Sequence, residues 1–212
     1  MPGWLPPFVC ALGVAGCLLA ERRGSERGLW LAKPLASGAF VWAALAWGAL
    51  GASWGRWLAL GLVASALGDV LLIPRRAAGA LRAGMLAFAV GHALFATAFL
   101  VHGVAWPALG LAALGALGFV LAVWRRLGPR LAPADRAPVA GYALVIGAML
   151  ACAFGAVAGG APLAAGAGAA LFALSDLAVA QDRFVAPSFT STLWGLPAYY
   201  AAQLLLAWSA QP

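Results

Sequence analysis

Long apolar runs separated by short polar connectors dominate this chain. Eight runs have helix length: roughly Trp4 to Ala20, Leu29 to Leu50, Trp57 to Ile73, Gly84 to Val101, Val104 to Trp124, Pro138 to Ala158, Leu163 to Ala180, and Phe189 to Trp208. A helix crossing a bilayer needs about 20 mainly apolar residues, because each adds about 1.5 Å of rise. The connectors hold breakers and charges, as in Glu21-Arg22-Arg23-Gly24-Ser25 and Arg125-Arg126-Leu127-Gly128-Pro129. No stretch is long enough for a separate soluble domain. The pattern predicts an all-α polytopic membrane protein with eight transmembrane helices, residues 1–212 forming a single domain.

Composition agrees: 65% of residues are hydrophobic and 9% charged, with a mean hydropathy of +0.95. The net charge of +7 invites a nucleic-acid partner, but the placement of the charges excludes one. Arg22, Arg23, Arg27, Arg75, Arg76, Arg82, Arg125, Arg126, Arg130, Arg136 and Arg183 all fall in alternate connectors, while the opposite ones hold only Arg56. That split is the positive-inside pattern, and it places both termini on the non-cytoplasmic side of a bacterial inner (plasma) membrane. Val14-Ala15-Gly16-Cys17 has the look of a lipoprotein cleavage box, but no Lys or Arg precedes the first apolar run, as a signal peptide requires. Cys10, Cys17 and Cys152 form no metal-type pair and read as packing residues. Tryptophans 4, 30, 54, 57, 106, 124 and 208 fall near run ends, where indoles favour the interface. The glycines of 110–118 and 155–168 read as close-approach surfaces between helices.

Two carboxylates break the pattern. Asp69 lies in LALGLVASALGDVLLI and Asp176 in LAAGAGAALFALSDLAVA. A carboxylate at the centre of a membrane helix costs about 2.5 kcal/mol or more, so such residues mark function. Asp69 precedes Arg75 by six residues and Asp176 precedes Arg183 by seven, which puts both roughly 10 Å inside the first arginine. Lys33, near the start of the second run, falls at the same level. His92, Tyr199, Tyr200 and Gln203 lie deeper, with Tyr199 and Gln203 on one helix face. Together they predict a polar cavity open toward the cytoplasm. The two aspartates are 107 residues apart, which fits two parallel four-helix halves.

At these residues the chain resembles the YhhN-type integral membrane family, which includes the lysoplasmalogenases. The resemblance rests on Lys33-Pro34, Gly68-Asp69, and Gly91-His92 with Phe88 and Phe95. Ser175-Asp176 with Arg183-Phe184, and Tyr199-Tyr200 with Gln203, complete it. It implies an eight-helix fold and hydrolysis of the vinyl ether bond of lysoplasmalogens to an aldehyde and a glycerophospho-headgroup, with a lysophospholipid as substrate. Asp69 and Asp176 are the expected catalytic pair; Lys33, His92, Ser175, Tyr199, Tyr200 and Gln203 are expected to bind substrate. No metal or cofactor is expected.

The chemistry suits two carboxyl groups. Protonation of the alkene carbon creates an oxocarbenium ion that an anion stabilises and water attacks, as in glycosidases. Which aspartate is the acid stays open at this point. The rival readings are a proton-coupled carrier using the same membrane carboxylates, a zinc hydrolase short of ligands, and a Ser175-His92-Asp176 triad. The triad suffers because adjacent side chains on a helix point about 100° apart.

Overall fold

The computed structural model describes residues 3–74, 77 and 79–211, and the described residues form eight α-helices with no strand. In chain order these are α1 (Leu5–Arg22), α2 (Glu26–Ala46), α3 (Ser53–Leu71), α4 (Ala80–His102), α5 (Trp106–Leu127), α6 (Pro133–Ala158), α7 (Leu163–Phe184) and α8 (Phe189–Ser209). Each coincides with one apolar run. The edges differ where backbone hydrogen bonding outlasts hydrophobicity: α4 begins four residues before Gly84 and α6 five before Pro138. Conversely α2 stops at Ala46, because Gly48 takes a left-handed turn (φ 86°) that a residue with a Cβ rarely adopts. Ser25 caps α2 by accepting from the Gly28 amide at 3.1 Å.

Six helices (α1, α2, α4, α5, α6 and α7) are long and apolar enough to cross a membrane. The chain is thus a polytopic membrane protein, with six spans rather than eight carried by length and composition. The other two, α3 and α8, hold Asp69 and the Tyr199-Tyr200-Gln203 group, and α3 also carries Arg56 at its opposite, exposed end.

Successive helices pack as the hairpins α1/α2, α3/α4, α5/α6 and α7/α8. Between hairpins, α2 lies against α3 and α8, while α6 lies against α4 and α7. The C-terminal ends of α1, α3, α5 and α7 and the N-terminal ends of α2, α4, α6 and α8 all border one cavity, so the helices alternate in direction. Arg22, Arg125, Arg126 and Arg183 occupy these same ends. Arg75, used above to gauge depth, and Arg76 lie outside the described residues. The core is aromatic at its centre, where Phe40, Phe88, Phe95, Phe172, Tyr199 and Tyr200 contact one another edge-on or tilted.

Two expectations about packing need correcting. Gly110, Gly115 and Gly118 face open space, because α5 is the outermost helix and buries only Ala116 and Leu127. The 155–168 stretch does pack closely, a Cβ on Gly155 standing 2.8 Å from Leu109 and one on Gly168 2.9 Å from Leu206, and further close approaches lie at the site: a Cβ on Gly68 would stand 2.7 Å from the Phe88 ring, and one on Gly195 would collide with Ala178. Trp54 is buried rather than interfacial, edge-on to His102 at 4.8 Å, whereas Trp4, Trp30, Trp57, Trp106, Trp124 and Trp208 are exposed near helix ends.

Candidate active site

Asp69 occupies the last turn of α3 and is almost wholly buried, with a relative exposure of 3%. Because Lys33 and Ser37 are one turn apart on α2, they share a face and grip the same carboxylate. Lys33 Nζ lies 3.7 Å from Oδ1, and the Ser37 hydroxyl donates to Oδ2 at 2.5 Å. From α8, the Tyr199 hydroxyl donates to the same Oδ2 at 2.9 Å. Tyr200 OH lies 3.3 Å from Ser37 Oγ, and since Ser37 commits its proton to Asp69, Tyr200 is the donor there. One cation and two hydroxyl donors therefore converge on Asp69. This is the donor set of an ionised carboxylate, and a buried charge is tolerated only when so paired.

Asp176 has a different cradle. Its Oδ2 lies 3.1 Å from His92 Nε2 on α4, and Oδ1 accepts from the Tyr142 hydroxyl on α6 at 3.2 Å. Tyr142 OH also stands 3.3 Å from His92 Nε2. The His92 ring is fully buried, lies on Phe172 at 4.3 Å, and turns Nδ1 toward Met149 Sδ at 3.1 Å.

Both aspartates border one cavity of about 150 Å³, together with Lys33, Tyr142, Ser175 and Tyr199. Its inner wall is apolar, from Phe88, Ile146 and Phe172, and its outer rim carries Glu21, Asp182 and Arg183. A polar end leading into an apolar depth matches an amphiphile whose headgroup stays at the rim.

The sequence-predicted residues divide by position. Lys33, Asp69, Ser175, Asp176 and Tyr199 reach the cavity; His92, Tyr200 and Gln203 do not line it. The Ser175 hydroxyl donates to the Phe172 carbonyl at 2.7 Å, while His92 is engaged by Asp176, Tyr142 and Met149. The geometry thus lacks the serine–histidine bond of a triad. Neither amide atom of Gln203 has a partner among the described residues. Three site residues escaped the sequence reading: Ser37, Tyr142 and Met149. The signal for Ser37 was its place one turn after Lys33. For Tyr142 it was its being the one tyrosine outside α8, and for Met149 its place two turns beyond Tyr142.

Residues 28–210 match the YhhN family. The chain belongs to that family. It is similar to the lysoplasmalogenase TMEM86A of Homo sapiens, 34% identical over 99% of this chain and 79% of the relative. It is equally similar to the human lysoplasmalogenase TMEM86B, 34% identical over 98% of this chain and 86% of the relative. With the lysoplasmalogenase TMEM86A of Bos taurus it is 41% identical over 71% of this chain, spanning 63% of that protein's length. No solved structure matches the chain.

Proposed function

We propose that this protein is an intramembrane hydrolase that cleaves the vinyl ether bond of lysoplasmalogens, using Asp69 and Asp176. The observation that carries the reading is the pair of aspartates, held by different partners, on one cavity whose rim is polar and whose depth is apolar. The kinship with lysoplasmalogenases supports it.

The reaction divides between the two carboxyl groups. A carboxyl proton passes to the alkene carbon remote from the ether oxygen, and the remaining carbon becomes an oxocarbenium ion stabilised by the second, ionised carboxylate. Water attacks that carbon and gives up a proton that restores the acid. The hemiacetal then collapses, its hydroxyl proton passing to the leaving oxygen, so that one water is consumed and an aldehyde and a free glycerol hydroxyl appear. Lys33 holds Asp69 in its charged form, Ser175 and Tyr199 face the substrate, and His92, Tyr200 and Gln203 support the wall.

The same reading extends to the membrane. All eight helices cross the bilayer of a bacterial inner membrane, with both termini on the non-cytoplasmic side and the cavity opening to the cytoplasm. The chain comprises one domain of two parallel four-helix halves. The contacts α1/α2, α3/α4, α2/α3 and α4/α6 recur four helices later as α5/α6, α7/α8, α6/α7 and α8/α2. His92 and Tyr199 are 107 residues apart, the same interval as Asp69 and Asp176.

The test is a mass-spectrometric assay of purified protein with lysoplasmalogen and with an ordinary ester lysophospholipid. Aldehyde release from the vinyl ether substrate, lost in D69N and in D176N, is expected. Wild-type rates in both variants, or substrate-driven proton uptake into liposomes without product, would sink the proposal.

A further inference from the structure

The surroundings of His92 restrict its protonation more tightly than a hydrolytic scheme requires. Among the described residues, two elements other than its own supply the polar atoms it meets: α6 gives Met149 and Tyr142, and α7 gives Asp176. A thioether sulfur can only accept a hydrogen bond. With Met149 Sδ 3.1 Å away and both residues fully buried, Nδ1 meets no other polar atom among the described residues, and a hydrogen on Nδ1 is the arrangement that satisfies the sulfur. Turning the ring over would set carbons against both the sulfur and the carboxylate and lose both contacts. A neutral imidazole has one N–H, so Nε2 is left with a lone pair facing Asp176 Oδ2 at 3.1 Å. Two lone pairs at that distance repel. A single proton between Nε2 and Oδ2 removes the repulsion, whichever atom holds it. Tyr142 does not substitute, because its hydroxyl proton serves Asp176 Oδ1.

We propose that Met149 is a positioning residue that fixes His92 as the Nδ1–H form, and that the His92–Asp176 pair thereby holds the single proton delivered to the vinyl ether, with Asp69 as the anion. This rests on the hydrolase reading above for its catalytic half, while the tautomer stands on its own. Asp176 alone of the pair reaches the cavity, so delivery passes through its carboxyl group. The alkene carbon gains a C–H bond from that proton. Asp176 is left as a carboxylate beside the His92 lone pair, and the proton shed by the attacking water refills the gap. The assignment also separates the two aspartates: Asp69 faces a cation and hydroxyl donors, whereas Asp176 faces a base.

The chain has two histidines, so H102Q leaves His92 as the only one. In ¹⁵N-histidine-labelled H102Q protein, and in wild type with the His102 signals identified by their loss, Nδ1 should be protonated in the resting state. Replacing Met149 by Leu conserves volume, which usually costs less than about 1.5 kcal/mol, so the variant should fold. It should lose the Nδ1–H preference and drop in kcat at least tenfold with KM nearly unchanged. A wild-type spectrum with Nδ1 bare and Nε2 protonated overturns the proposal. So does an M149L protein with unaltered tautomer and unaltered kcat. A wild type that releases no aldehyde removes the hydrolase reading, and the spectrum still decides the tautomer.

Discussion

Removing Lys33 should unsettle this protein more than removing most of its core side chains. Lys33 Nζ stands 3.7 Å from Asp69 Oδ1, with the side chains only 10% and 4% accessible. At that separation two unit charges attract by about 4.5 kcal/mol with an effective dielectric of about 20. Much of this offsets the desolvation of both groups, so the net worth of the pair is small, but stranding one partner is costly, about 3–5 kcal/mol. K33M leaves a buried carboxylate with hydroxyl donors alone; D69N leaves a buried ammonium facing a neutral amide. Each single variant should lower the thermal midpoint by roughly 10 °C, taking about 2–4 °C per kcal/mol for a chain of this size. The double variant K33M/D69N removes both charges and keeps an acceptor for Ser37 and Tyr199, so it should recover most of that loss. Recovery means that the double variant loses less than either single one, so the coupling exceeds one single loss of about 3–5 kcal/mol. Cys10 and Cys17 are free and buried, so a thiol-reactive fluorophore reports unfolding in detergent without added labels. Activity gives an independent reading, because the double variant should regain stability and yet release no aldehyde. Additive losses, with coupling below about 0.5 kcal/mol, would refute the ion pair. A catalytically active double variant would instead refute the role given to Asp69.

Two further outcomes follow from single hydrogen bonds. Y142F removes the donor to Asp176 Oδ1 and should cut kcat roughly ten- to a hundredfold, the equivalent of about 1.5–3 kcal/mol for a bond to a reacting charged group, with the thermal midpoint barely moved; an unchanged kcat in steady-state aldehyde release would remove Tyr142 from the site. Q203M replaces a fully buried amide whose atoms find no partner among the described residues, and should raise stability by about 1–3 kcal/mol in the same thermal assay. A drop of similar size would show that the amide is bonded.

How much of this was legible in the sequence depends on the scale of the signal. Helix number was readable because hydrophobic runs and arginine-bearing turns are long-range patterns that no local contact can reverse. The ends were less readable, since α4 and α6 extend into polar flanks where hydrophobicity says nothing about hydrogen bonding. Asp69 and Asp176 were visible because each violates its surroundings. Ser37, Tyr142 and Met149 were not, because serine, tyrosine and methionine are ordinary in membrane helices and become informative only once their partners are known. Gly68 shows the same limit from the packing side. The ring it admits, Phe88, follows only from how α3 meets α4.

The two cradles also explain how similarly built surroundings can host a reaction that needs unlike partners. Asp69 sits on α3 and is met by α2 and α8, while Asp176 sits on α7 and is met by α6 and α4, the same relation four helices on. Asp69 meets Lys33 and Ser37 from α2 and Tyr199 from α8; Asp176 meets Tyr142 from α6 and His92 from α4. Identical cradles would leave mutual repulsion alone to set one proton on the pair, with neither carboxyl group fixed as the donor or as the anion. Substitution at equivalent positions breaks that tie. Tyrosine on α8 can only give a proton to a neighbouring carboxylate, whereas histidine on α4, with its outer nitrogen committed to sulfur, can receive one. The lysine adds a full charge to the side that must remain ionised. The asymmetry required by vinyl ether hydrolysis thus resides in the residues flanking the aspartates, while the aspartates themselves are alike. Exchanging the aspartates for other acids should therefore disturb catalysis less selectively than exchanging Lys33, His92 or Met149.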